Sequence, residues 1–236
     1  MKEIGCCSLL SVLKSKSNRE DVIDIWEVDI NSQNIRIAKQ YTNLLSDLEL
    51  DNLNKFKFFK DYSVYLVSHV AMRLLISEYT NTDPKKIIYY YSKNGKPWIS
   101  KDICFNLSHA HKKAIIGFYK KDIGVDIEYK KDLEDYNSIE DLVYTKEEKK
   151  YIKNEDRRER FYELWTKKEA IIKGMGIGFS KDVKDLSIGA REQYYEESNI
   201  WQIAKVKSDS SYVAHIAYKN ETVINNINYF VWNFRE

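Results

Sequence analysis

Asp126 and Glu128 stand two residues apart in Ile123-Gly124-Val125-Asp126-Ile127-Glu128, and Glu169 and Lys173 stand four apart in Leu164-Trp165-Thr166-Lys167-Lys168-Glu169-Ala170-Ile171-Ile172-Lys173. Apolar residues alternating with acids read as a β-strand, so both carboxylates of the first segment leave it on one face. The second segment reads as an amphipathic helix, with Phe161, Leu164, Trp165, Lys168 and Ile172 at three- and four-residue steps. That places Glu169 and Lys173 one turn apart on a shared face. Carboxylates from a strand and a helix suit Mg²⁺, a hard cation that keeps water and substrate phosphates as its remaining ligands. The chemistry expected is metal-assisted phosphoryl transfer. Each segment alone also has the look of a solvated face; it is their combination that favours a metal site.

Other residues could serve such a site. Ser92-Lys93-Asn94-Gly95-Lys96-Pro97-Trp98 carries an Asn-Gly turn signal and puts Lys96 on a loop beside a rigid proline. It is either a plain hairpin or a lysine offered to a phosphate. His109 and His111 are alternate residues at the end of a strand, with no further His or Cys close in sequence, so a hydrogen-bonding role competes with a phosphate-donor role. Thr145 followed by Glu148 is a capping-box pattern, which makes Glu148 a cap on its local reading. Gly174, Gly176 and Gly178 stop the preceding helix and do not form a P-loop, since the order G-x-x-x-x-G-K-[ST] is absent.

The elements that must position these groups alternate between strands and helices. Asp21–Ile30 reads as the first strand, Ile35–Leu45 as a helix, and Ser46 with Glu49 as a capping box opening a short helix through Leu53 to Phe59. Asp61–Tyr79 is the long helix of the first half, its apolar face turned away from Arg73 and Ser77. Strands are expected over Ile87–Tyr91, Ile103–Phe105, Ala114–Tyr119, Leu186–Ile188, Ile200–Val206, Tyr212–Tyr218 and Val223–Trp232. With 236 residues the chain can bury a sizeable core. The expected division is an N-terminal extension over 1–20 (flexible, or a minor helix), a first α/β half over 21–120 and a second over 121–236. A net charge of +2 provides no field for nucleic acid or a membrane surface, and no apolar run approaches the ~18–20 residues of a transmembrane helix. Three cysteines, Cys6, Cys7 and Cys104, without metal-ligand spacing read as reduced thiols of a cytoplasmic protein.

Gly95-Lys96-Pro97, Phe105-Asn106-Leu107-Ser108-His109, Gly124-Val125-Asp126-Ile127-Glu128 and Trp165-Thr166-Lys167-Lys168-Glu169-Ala170-Ile171-Ile172-Lys173 occur in that order. Together they resemble the 4′-phosphopantetheinyl transferases of the surfactin-synthetase-activating type. The resemblance implies an α/β (α+β) fold: a pseudo-twofold monomer of two similar α/β halves with the active site in the cleft between them. It implies transfer of phosphopantetheine from coenzyme A to a serine of an acyl or peptidyl carrier protein in lipid or secondary-metabolite biosynthesis, with adenosine 3′,5′-bisphosphate as the other product. It implies Mg²⁺, with Mn²⁺ as a substitute, held by Asp126, Glu128 and Glu169. His109, with Ser108 beside it, matches the residue that reaches a coenzyme A phosphate. Lys173 matches the lysine at the pyrophosphate, and Lys96 and Pro97 match the loop at the nucleotide end. In the family pattern Glu148 is the candidate base for the serine hydroxyl, with Glu147 the competing register. One departure stands out. Family members often carry basic residues before and within the first long helix, where they hold the 3′-phosphate. Here Glu49 to Asn54 is acidic or neutral and Val64 stands where an arginine is expected, with Lys55, Lys57 and Lys60 nearby and Arg73 in the later basic position.

Two alternatives share the same residues. A metal-dependent nuclease or phosphodiesterase would use the same strand and helix, but calls for a basic groove. A non-catalytic binding module would leave the acids as a solvated face. Coenzyme A binding separates the first from the transferase, and Mg²⁺ affinity separates the second.

Overall fold

The computed structural model describes residues 2–4, 21–132, 135–153, 156–178 and 183–234. In chain order the strands are β1 (Lys2–Ile4), β2 (Ile23–Asp29), β3 (Tyr90–Tyr91), β4 (Pro97–Trp98), β5 (Cys104–Ala110), β6 (Lys113–Tyr119), β7 (Ile123–Tyr129), β8 (Gln193–Glu196), β9 (Asn199–Lys205), β10 (Tyr212–Lys219) and β11 (Ile227–Trp232). The helices are α1 (Ser32–Gln40), α2 (Asp47–Asn54), α3 (Phe59–Thr80), α4 (Tyr136–Val143), α5 (Lys146–Lys153) and α6 (Arg157–Met175). Among the described residues no helix is long and apolar enough to cross a membrane.

Among the described residues, two larger sheets form, in strand orders β1-β11-β2-β6-β5 and β7-β10-β9-β8, beside a two-stranded sheet β3-β4. Helix α3 packs Val67, Val70, Ala71 and Leu75 against Trp26, Phe105 and Phe118 of the first sheet. Helix α6 packs Ala170 and Ile171 against Trp201, Ile203 and Ala217 of the second. Between them lies a third apolar layer in which Ile23, Ile25 and Ile115 meet Val125, Ile127 and Ile216. Strands β2 and β6 are therefore buried on both faces; β6 reads as a nearly continuous apolar run, whereas β2 carries Asp24 and Glu27 into the buried layer. The architecture is the expected α+β arrangement of two halves, each with one long helix on a sheet.

The helix ends follow local chemistry. Ser46 and Glu49 form a reciprocal capping box on α2. Asp156 accepts the Glu159 amide at the start of α6, and Gly176 ends that helix at φ 65°, a left-handed conformation that glycine adopts without cost. Asn81 ends α3 at φ 50°.

Several expectations need correction. The chain from 121 to 236 does not stay in the second half: β11 lies parallel between β1 and β2 in the first sheet, where Phe230 stacks on Trp26 at 4.4 Å. Of the 1–20 extension only Lys2–Ile4 is described, as a strand beside β11; the remainder, with Cys6 and Cys7, lies outside the described residues. Leu186 and Ile188 are core residues beside α6 rather than a strand. Arg73, expected on a solvent face, is 1 % exposed. Its Nε donates to Glu49 Oε2 at 2.8 Å, and its Nη1 donates to the carbonyl oxygens of Pro84 at 2.7 Å and Ile87 at 3.2 Å. A guanidinium can be buried when its donors are satisfied this fully.

The Glu49–Arg73 pair ties α2 to α3 and has a measurable signature. Burial alone would raise the Glu49 carboxyl, but hydrogen bonds from His69, Arg73 and Ser46 overcome it and hold the pKa at about 2, from an ordinary 4.5. A depressed carboxyl pKa stabilises the fold above the unfolded value, and that stabilisation disappears as pH falls through the folded value. The contribution, about 3 kcal/mol, is present at pH 7 and lost between about pH 4.5 and 2. Urea unfolding of Glu49→Gln at pH 7 is expected to show a loss of that order, with a flatter acid limb than the parent. An unchanged acid limb would remove Glu49 from the account.

Candidate active site

Close backbone approach of β7 and α6 builds the site. A Cβ placed on Gly124 would overlap the Ala170 carbonyl oxygen and the Gly174 amide, so only glycine lets the strand sit this near the helix. The approach brings Asp126 and Glu128 against Glu169 and Lys173. On its other side β7 meets β5, the end strand of the first sheet. There Asn106 Oδ1 accepts the Val125 amide at 2.9 Å and Ser108 Oγ accepts the Ile127 amide at 3.4 Å. Side chains thus replace the backbone ladder along this seam.

The three acids are crowded and short of partners. Asp126 is 3 % exposed. Its Oδ1 accepts from Ser108 Oγ at 2.9 Å and from Lys173 Nζ at 2.6 Å, while its buried Oδ2 has no partner among the described residues. Burial raises its pKa, with Lys173 and Ser108 offsetting this only in part. Glu169 has a buried Oε1 with no partner among the described residues, and burial and the charge of Asp126 raise its pKa too. Glu128 Oε1 accepts from Trp165 Nε1 at 3.2 Å, and burial and the neighbouring Asp126 push its pKa up to about 7.

Orphaned carboxylate oxygens and raised acid pKa values are what a site lacking a positive charge would show. The set fits a hard divalent cation that takes a few carboxylate oxygens and fills its shell from water and phosphate. Among the described residues, no three acids, histidines or cysteines converge into a finished ligand cage. Lys173 Nζ meanwhile bridges Asp126 and Ser108, at 2.9 Å from the latter.

A cavity of about 370 Å³ opens beside this cluster, with Pro97, Ser108, His109 and Lys173 among its lining residues, which brings four of the expected residues together. His109 is exposed to it, and desolvation and the charge of Lys173 hold its imidazole below the ordinary range. Tyr65 and His69, stacked at 3.7 Å, also line the cavity, as do Tyr89 and Tyr91. Spacing along α3 gave no sign of them, because the tyrosine and histidine sit among residues that simply read as helix. His111, at the β5–β6 turn, has φ 53° and rests its ring on Tyr129 at 4.6 Å.

Three expected residues do other work. Arg73 is consumed by Glu49 and two carbonyls, as above. Lys96 Nζ donates to the Ile123 carbonyl at 3.2 Å and the Gly174 carbonyl at 2.5 Å, so it clamps the start of β7 to the end of α6. It borders a larger cavity of about 660 Å³ on the Asp122 and Gly176 side. Glu148 is 1 % exposed, and all its accepting directions are taken. Oε2 accepts from Lys168 Nζ at 2.8 Å and the Thr145 amide at 3.0 Å, and Oε1 accepts from the amides of Ile188 at 2.9 Å and Gly189 at 3.3 Å. Burial would raise its pKa, but the Lys168 ammonium and these amides outweigh that and hold it low. A carboxylate so held is a weak proton acceptor, and the contacts it makes here are those of a cap and an ion pair. Glu147 is exposed on the outer face of α5.

Comparison with known proteins follows the same division of the chain. The family model described as "4'-phosphopantetheinyl transferase superfamily" matches residues 122–217, and that described as "4'-phosphopantetheinyl transferase, N-terminal" matches residues 34–118. The chain is 23% identical over 209 residues to the 4′-phosphopantetheinyl transferase HetI of Nostoc sp., covering 84% of this chain and 87% of that protein. It is 28% identical to the 4′-phosphopantetheinyl transferase Sfp of Bacillus subtilis over 64% of this chain and 68% of that one. It is 31% identical to the L-aminoadipate-semialdehyde dehydrogenase-phosphopantetheinyl transferase of Schizosaccharomyces pombe over 61% and 64% respectively. Both halves match models of one family, and the seam between those halves holds the acidic cluster, so the chain belongs to the 4′-phosphopantetheinyl transferase superfamily and is an enzyme that transfers phosphopantetheine.

Proposed function

We propose that the chain moves the 4′-phosphopantetheine of coenzyme A onto a serine hydroxyl of an acyl or peptidyl carrier protein, with Mg²⁺ as the metal. The serine oxygen forms a bond to the phosphorus that carries pantetheine. The bond from that phosphorus to the bridging pyrophosphate oxygen breaks, and its electron pair leaves with the adenosine 3′,5′-bisphosphate. The serine proton passes to solvent or to a base. The observation that carries this reading is the acidic cluster, with oxygens unpartnered among the described residues, set against Lys173 and Ser108, which line a cavity shared by both halves. Asp126, Glu128 and Glu169 would hold Mg²⁺, which when bound neutralises charge on the phosphates. Lys173 is placed to turn from Asp126 to the pyrophosphate, and Ser108 to hold Asp126 in position while it does so. The pocket wall around Tyr65 and Pro97 would take the nucleoside.

Intact-mass analysis of an apo carrier protein incubated with this chain, coenzyme A and Mg²⁺ tests the reading. A gain of one phosphopantetheine is expected, abolished by EDTA. Asp126→Ala is expected to slow it by about 10³-fold or more, since it removes a buried anion at the charge-neutralising centre. Transfer that is indifferent to both treatments would rule out the metal role. Cleavage of a nucleic acid in place of transfer would favour the phosphodiesterase alternative.

A further inference from the structure

The donor pocket has a charge pattern that bears on which donors it accepts, and the following inference rests on the proposed function. A pyrophosphate drawn to Lys173 leaves the α2–α3 wall for the nucleoside: Asn52, Tyr65, His69, Tyr89 and Tyr91, with Glu49 behind them. Coenzyme A brings a 3′-phosphate to this region, a dianion that an enzyme built to read it would meet with arginine or lysine. We infer that this wall holds the nucleoside without a 3′-phosphate clamp, so that 3′-dephospho-coenzyme A serves as a donor about as well as coenzyme A.

Among the described residues, the cations that the sequence offers for such a clamp are engaged elsewhere or do not line the wall. Arg73 Nη2 lies 2.6 Å from Glu49 Oε2, its other donors go to Glu49 and two carbonyls, and its plane lies 4.9 Å from the Tyr89 ring centre. At 1 % exposure it presents no donor to a ligand, and with Glu49 ionised the pair offers the pocket no net positive charge. Lys96 is held by the Ile123 and Gly174 carbonyls. Lys55 Nζ bonds Asn52 Oδ1 at 2.8 Å, and none of Lys55, Lys57 and Lys60 is among the lining residues. Lys173 is the one lysine or arginine among those residues, and it faces Asp126. Desolvation and the charge of Lys173 hold the His109 imidazole below its ordinary range, which disfavours its charged form.

What the wall offers instead suits a purine and an unmodified ribose. Tyr65 is stacked on His69, with Phe56 5.4 Å from Tyr65, a surface on which a base can stack. The Tyr89 hydroxyl is buried with no partner among the described residues, a donor fit for a ribose hydroxyl. A phosphate placed here would give up its hydration against aromatic rings and a neutral ion pair, without a charge-assisted bond to compensate.

The test is kcat/KM for coenzyme A and 3′-dephospho-coenzyme A with one carrier protein. A ratio within about fivefold is expected, since a working clamp would favour coenzyme A by tenfold or more. A preference for coenzyme A beyond about fivefold overturns the inference. Competition by adenosine 5′-monophosphate and by adenosine 3′,5′-bisphosphate supplies a binding readout and should show the same near-parity. Asn52→Lys adds a cation to the wall and is expected to raise the coenzyme A preference by about tenfold; an unchanged ratio would place the 3′ position elsewhere and count against the inference. Transfer from neither donor would overturn the functional reading on which the inference rests, and the inference with it.

Discussion

Gly124→Ala is expected to abolish transfer and to cost the fold several kcal/mol. The added methyl has nowhere to go. Its contacts are the Ala170 carbonyl and the Gly174 amide and Cα, all backbone in the last turns of α6, so no side-chain rotation relieves them. Strand and helix must separate, and overpacking of this kind costs ~1–3 kcal/mol even where side chains can yield. Separation also draws Asp126 and Glu128 away from Glu169 and Lys173, so activity falls further than stability. Gly95→Ala is the matched control: its φ of 83° disfavours a side chain but a Cβ there meets nothing within 4 Å, so a loss of about 1 kcal/mol is expected. Thermal melts and transfer rates of the two variants check this. A Gly124→Ala protein with parental melting temperature and rate would show that the tight β7–α6 contact is not what sets the site.

Glu128→Gln is expected to do the reverse to stability while still removing activity. Glu128 has its pKa raised to about 7, so the folded state holds the proton more tightly than the unfolded chain does. The sign follows from linkage: with metal withheld, the raised carboxyl subtracts stability as pH climbs from about 4.5 through 7, and the full loss is present above that. Glutamine cannot ionise, so at pH 8 in chelator the variant should be the more stable protein, by about 1–2 kcal/mol once partial exposure is allowed for. At pH 5 the two should melt together. Mg²⁺ should raise the melting temperature of the parent at pH 8 more than at pH 6, and that of the variant much less. Equal stability of parent and variant in chelator at both pH values would contradict the electrostatic account of the cluster.

These outcomes rest on features that were legible to different degrees in the chain. Asp126, Glu128, Glu169 and Lys173 could be placed because each pair lies within a single element, where a period of two or a turn of helix fixes the shared face. The boxes Ser46–Glu49 and Thr145–Glu148 were legible for the same reason, and both are formed. What could not be read was where buried charges find partners across the sequence. Arg73 meets a carboxylate 24 positions away, and Lys96 meets a carbonyl 78 positions away. In each case a cation that local pattern treats as exposed is drawn inward by an acceptor the pattern cannot see. Glu148 is the instructive case, because its local reading as a cap is borne out while its ion pair with Lys168, from the next helix, could not be read from the pattern. The return of β11 to the first sheet was hidden similarly, since alternation marks a strand without naming its neighbour.

The seam between β5 and β7 has a consequence for how the chain behaves among its own copies. An end strand with free amides is a template on which a strand of another molecule can build, the usual first step toward aggregation. The amides of Val125 and Ile127 are received by Asn106 and Ser108, so this edge of β7 has nothing to offer at either place. Ser108 also holds Asp126. The same hydroxyl that steadies an acid of the active centre therefore helps to cap a sticky edge, and solubility and catalysis draw on a single oxygen atom.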